Sequence, residues 1–127
     1  MRPTLTALLL LAGSLPDRVL ACWEQAASRY GLSPQLLVAV ARVESGLNPA
    51  AVNRSHLART GSYDIGLMQI NSRHLPLLAR YGIKETQLQE PCTNIHVGAW
   101  LLAVGADPNL SHRADRILSQ GWKPVLS

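Results

Sequence analysis

The sequence predicts a mainly α domain with a small irregular or β-like insert, and three observations carry that prediction. Apolar residues recur at helical spacing in several separate segments. The clearest of these is bounded by helix punctuation, Ser33-Pro34 at one end and Gly46 at the other. Between Asn48 and about Tyr63 the chain is rich in Asn, Ser, Arg and Gly and shows no period, which reads as loop.

The elements follow in order. The opening Leu5–Leu15 is apolar and preceded by Arg2, too short to span a bilayer as a mature helix and shaped like the core of a signal peptide. Val19-Leu20-Ala21 places small or apolar residues before an expected cut between Ala21 and Cys22, so residues 1–21 read as a cleavable leader and the chain as periplasmic. "CWEQAASRYG" then gives a short amphipathic helix with Trp23, Ala26, Ala27 and Tyr30 on one side and Gly31 as its stop. In "SPQLLVAVARVESG", Ser33 is the expected N-cap and Pro34 the first helical residue. Its expected buried stripe is Leu36, Leu37, Val40 and Val43, widened by Ala39 and Ala41. "DIGLMQINS" is short and apolar around a glycine, either an extended segment or the lead into a helix. "HLPLLARYG" is a helix with Pro76 near its start and Gly82 past its end. "TNIHVGAWLLAVG" is a helix with Thr93 as expected cap and Ile95, Trp100, Leu101 and Val104 as core candidates. From Val104 onward Gly105, Pro108, Gly121 and Pro124 punctuate a tail in which Ser111–Gln120 could form one helix on Ala114, Ile117 and Leu118.

Composition excludes some functions. The net charge is +4; without Arg2, Arg18 and Asp17 ten basic and seven acidic side chains remain. That mild excess suits approach to an acidic polymer, but no Lys/Arg run marks a nucleic-acid interface. His56, His74, His96 and His112 lack zinc-site spacing, so no metal and no cofactor is expected. Cys22 and Cys92 are an even pair in an exported chain and suggest one disulfide; "VLAC" also resembles a lipoprotein cleavage box that would lipidate Cys22, and both alternatives stand.

The residue with the most chemical interest is Glu44, in the last turn of an apolar helix. An anion is disfavoured at a helix C-terminus, and burial against apolar neighbours disfavours it further. A carboxyl whose pKa rises to about 6 is roughly one-tenth protonated at pH 7, enough to serve as a general acid. Nearby, "GLMQIN" offers a glycine backbone that a ligand can approach and Gln69, an amide set between apolar residues.

"VARVESGLNPAAVN", "GSYDIGLMQIN" and "PCTNIHVGAWLLA" together resemble the catalytic domain of soluble lytic transglycosylases, in the small secretion- and pilus-associated branch of IagB-like invasion proteins. The resemblance spans about Cys22 to Ala103, giving a lysozyme-like domain at 22–103 and a divergent tail at 104–127. It implies a mainly α, α+β lysozyme-like fold. It also implies an enzyme that cleaves the MurNAc-β-1,4-GlcNAc bond of peptidoglycan without water, the muramyl 6-hydroxyl closing a 1,6-anhydro ring. Glu44 would be the single acid/base. Ser45, Gly66, Leu67, Met68, Gln69 and Asn94 would bind substrate or support the site, and the substrate's own N-acetyl group would stand in for the second carboxylate of ordinary glycosidases. The implied partners are peptidoglycan strands and a secretion or pilus apparatus, with the chain a monomer. The family's later Tyr-bearing "AYNAG"-like motif has no counterpart here. A truncated or reframed tail is expected to leave Glu44 uncovered on one side, as a catalytically impaired peptidoglycan-binding remnant.

Overall fold

The structure is a computed structural model and describes residues 17–120. Most of the expected leader, residues 1–16, therefore lies outside the described residues, as do Gly121 and Pro124. The chain is mainly α with one small antiparallel sheet, the lysozyme-like class that the resemblance implies.

Helix α1 (Asp17–Tyr30) buries Val19, Cys22, Trp23, Ala26 and Ala27. It runs unbroken through the Ala21–Cys22 bond, and Val19, on the leader side of the expected cut, belongs to the core. Helix α2 (Pro34–Ser45) starts and stops on local signals. The Ser33 hydroxyl accepts from the Leu36 N–H, Pro34 opens the first turn, and Gly46 at φ 65° returns its N–H to the carbonyls of Ala41 and Arg42. Its buried stripe is Leu36, Leu37, Val40 and Ala41. Val43 departs from expectation at 53% exposed, because the stripe is centred on Leu37 and Ala41 and leaves Val43 on its flank.

The loop expected from Asn48 holds more order than its composition shows. Strand β1 (Val52–Asn53) and helix α3 (Leu57–Thr60) lie within it. The Asp64 segment is a hairpin, β2 (Asp64–Ile65) and β3 (Ile70–Asn71), and the sheet runs β1-β2-β3, antiparallel throughout. The register sets Asp64 opposite Asn71 and Ile65 opposite Ile70.

A 3-10 turn at Ser72–His74 leads into α4 (Leu75–Ala79), followed by α5 (Glu85–Leu88). Helix α6 (Pro91–Val104) is the central element and is buried on several sides, at Asn94, Ile95, Val97, Gly98, Ala99 and Leu101. Its cap is Glu90, whose carboxylate accepts from the Cys92 N–H ahead of Pro91, and not Thr93, which lies inside the helix. Val104 is 57% exposed at its end. Gly98 is required by packing: a Cβ there would stand 2.7 Å from the Cβ of Met68. Cys22 and Cys92 form a disulfide that ties α1 to the first turn of α6.

The tail is a full helix, α7 (Pro108–Ser119), packed on α2 and α6. Asp107 caps it by accepting from the N–H groups of Asn109 and Leu110. Leu110 and Ala114 are buried, Ile117 packs at the edge of the core, and Leu118 is 46% exposed. The helix begins at Pro108, three residues before the expected start, because that proline occupies the first turn, where its missing N–H costs nothing.

Candidate active site

Glu44 stands at the end of α2 with its side chain 16% exposed. Burial is the largest influence on its carboxyl and pushes the pKa above the ordinary value. The hydrogen bond and charge of Arg113 pull it back, while the negative charges of Asp64 and Asp107 add to the rise. The expectation of an uncovered Glu44 is thus corrected. Helix α7 lies beside α2, and Arg113 Nε donates to Glu44 Oε1 at 3.1 Å.

Next to the acid, Ser45 fastens the helix end to the sheet. Its hydroxyl lies 2.8 Å from the Leu67 carbonyl and 3.1 Å from that of Ala41. The Gly66–Gln69 turn is thereby held against the end of α2. Gly66 has φ 76°, and a Cβ on it would collide with the Asn94 carboxamide, so no other residue fits. Gln69 adopts φ 53°, uncommon for a side chain of its size. Its Nε2 donates to the carbonyls of Gly66 at 2.9 Å and Ala51 at 3.3 Å. Leu67 and Met68 are fully buried, so these side chains pack the core and offer a ligand no surface.

Asn94 reaches this turn from α6 and is fully buried. Its Oδ1 accepts from the Met68 N–H at 2.8 Å; its Nδ2 donates to the carbonyls of Ile65 at 3.0 Å and Leu88 at 2.9 Å. All of its hydrogen bonds serve the backbone, and it holds the turn in place from within the core.

Two further residues belong to the site. Asp64 faces it from β2, close enough for its charge to raise the Glu44 pKa. Its Oδ1 accepts from Asn71 Nδ2 at 2.8 Å, and its Oδ2 is 2.8 Å from His56 Nε2. His56 Nδ1 lies 2.7 Å from the Thr60 hydroxyl. The pattern polar-apolar-turn-apolar-polar in "DIGLMQIN" carries the signal that pairs Asp64 with Asn71 once a hairpin is drawn. Arg113 has no such signal, being 69 residues from its partner. Of the histidines, His74 pairs with Asp107 through Nε2 at 2.9 Å and braces the start of α7.

Comparison with known proteins bears on this arrangement. The model of the transglycosylase SLT domain matches residues 21–107. The chain is similar to Invasion protein IagB of Salmonella typhimurium, 45% identical over 83 residues that make up 65% of this chain and 50% of that protein. It is 43% identical over 82 residues to Protein IpgF of Shigella flexneri, covering 64% and 52%. A Peptidoglycan-binding-like protein of Escherichia coli O157:H7 is 38% identical over 87 residues, covering 65% and 52%. The chain spans about half the length of the curated relatives it matches. The family match runs from α1 to the cap of α7 and takes in Glu44, the Gly66–Gln69 turn and Asn94: the chain belongs to the transglycosylase SLT domain family.

Proposed function

We propose that the chain is a peptidoglycan lytic transglycosylase that cleaves the MurNAc-β-1,4-GlcNAc bond and leaves a 1,6-anhydro end. The observation that carries this reading is Glu44, a half-enclosed carboxyl whose pKa burial raises, at the edge of a turn locked by Ser45 and Asn94. In its protonated form Glu44 gives its proton to the leaving GlcNAc oxygen as the glycosidic bond breaks. The muramyl 6-hydroxyl oxygen then bonds to the anomeric carbon, and its proton passes to the Glu44 carboxylate, which restores the acid. Gln69 is 8% exposed and its Nε2 is committed to the Gly66 and Ala51 carbonyls, so its part in this reading is to shape the turn beside Glu44. The name of one relative, a peptidoglycan-binding-like protein, supports peptidoglycan as the substrate, and that of another, an invasion protein, is compatible with the expected work in the periplasm beside a secretion or pilus apparatus.

A second reading, hydrolysis, is favoured by Asp64. Its carboxylate, held by Asn71 and His56 and electrostatically coupled to Glu44, could stabilise positive charge at the anomeric carbon and leave water as the acceptor. Digestion of purified peptidoglycan followed by mass analysis separates the two. Anhydro-muropeptides are the expected product, whereas reducing ends would favour hydrolysis. Glu44→Gln is expected to lower release by about 10²- to 10⁴-fold, the usual contribution of general acid–base catalysis. Wild-type release from that variant would remove Glu44 from the reaction.

A further inference from the structure

The helix that covers Glu44 lies outside the part of the chain that matches the family. The match ends at residue 107, the cap of α7, and Arg113 is one and a half turns beyond it. The helix is lightly fastened. Leu110 and Ala114 are its fully buried side chains, Asp107 braces its start against His74, and Arg113 makes its ion pair to α2.

We propose that α7 is a self-inhibitory strap whose Arg113 occupies Glu44 until the helix moves aside. The proposal rests on reading Glu44 as the acid of the reaction. Two geometric facts carry it. A general acid must come within about 2.6–3.2 Å of the oxygen it protonates. Arg113 Nε stands 3.1 Å from Glu44 Oε1, within that range, and so takes up one of the two oxygens of the acid. A carboxylate that accepts from a guanidinium is also in the wrong form to donate, and the pairing favours that form. The groups facing Glu44 pull in both directions: Arg113 from α7 favours the ionised carboxylate, whereas burial, Asp64 from β2 and Asp107 from the start of α7 favour the neutral acid. The contact is open to competition because the Arg113 side chain is 34% exposed, so water and salt compete for the pair.

The test compares the full chain with Arg113→Gln, which keeps length and hydrogen-bonding capacity but removes the charge, and with Arg113→Lys, which keeps the charge. Two measurements are made on each: the Glu44 carboxyl titration by carbon NMR, and anhydro-muropeptide release from purified peptidoglycan across pH and ionic strength. Arg113→Gln is expected to raise the Glu44 pKa and to increase release at pH 7 by about two- to fivefold, the range for a partly exposed ion pair. Its advantage should shrink toward unity as salt screens the wild-type pair, and Arg113→Lys should stay near wild type. An unmoved or lower Glu44 pKa in Arg113→Gln overturns the pairing whatever the release. Slower release with a raised pKa overturns the strap and makes Arg113 a positioning residue. If no form releases product while the titration still shifts, the lytic reading falls and the pairing stands.

Discussion

The site has a floor and a wall, and they are built in opposite ways. The floor is the Gly66–Gln69 turn, held by Asn94 from α6 and Ser45 from α2. The wall is α7. In the floor, buried polar atoms are matched to buried backbone groups, and Gly66 and Gly98 are fixed by direct collision with their neighbours. In the wall, contact depends on a few apolar side chains and an ion pair that water reaches. Buried hydrogen bonds with no solvent alternative specify a geometry strongly, since losing one partner leaves the other desolvated and unpaired. A partly exposed ion pair specifies charge more than position, and its strength can be tuned. The floor fixes the geometry beside Glu44; the wall opposes, without outweighing, the effect of burial on its charge.

The sharpest way to break this contrast is Asn94→Ala. It would strand the Met68 N–H and the Ile65 and Leu88 carbonyls in the core. At about 1–3 kcal/mol for each stranded group, the loss approaches the whole stability of a domain this size. The expected result is a melting temperature lower by about 15 °C or more, with amide exchange protection lost in α2, the hairpin and α6 together. A modest local effect would show that the floor is no more integral than the wall.

Leu110→Ala addresses the wall and should cost less. Truncating a buried leucine destabilises by about 2–5 kcal/mol where the surroundings cannot respond. Here α7 can detach instead, so the low end of that range is expected. Hydrogen exchange should show α7 amides losing protection while those of α6 keep theirs. Equal loss in both helices would make α7 part of the main folding unit and leave the strap no room to open.

The same contrast explains what the sequence revealed. Part of the floor is legible because its signals are local: a glycine and an amide three residues apart in one short motif, and a helix bounded by Ser33-Pro34 at one end and Gly46 at the other. The hairpin itself is not decided by the sequence, since two-residue strands exist only through their pairing and carry no period of their own. Glu90 escaped notice as the cap of α6 because Thr93, a better capping residue type, sits three places on. In the wall, Pro108 read as punctuation when it opens a helix. The Arg113–Glu44 pair has no local signature, because nothing near either residue encodes a partner 69 positions away. Leu67 and Met68, expected at the cleft, are core residues. Their apolar character was visible, but the direction in which the turn points them depends on Gly98 making room from another helix.

The smallest expected effect is also the one that weighs floor against wall at a single atom. Glu44 has a folded-state pKa above its ordinary value, with burial as the largest cause and Arg113 opposing it. A carboxyl whose pKa is raised on folding contributes stability that is fully present below the unfolded value, about 4.3, and lost as pH rises through the folded value. Above the folded value, the ionised Glu44 therefore costs stability. Glu44→Gln removes that cost, and the arginine it releases is already one-third in water and loses little. The variant is expected to melt close to wild type at pH 4 and to become more stable than wild type as pH rises toward 8. Thermal melts at pH 4, 6 and 8 read the sign directly. A variant that is instead less stable than wild type at pH 8 would mean that the Arg113 pair outweighs burial, so that the wall, and not the enclosure around the end of α2, governs the charge of the acid.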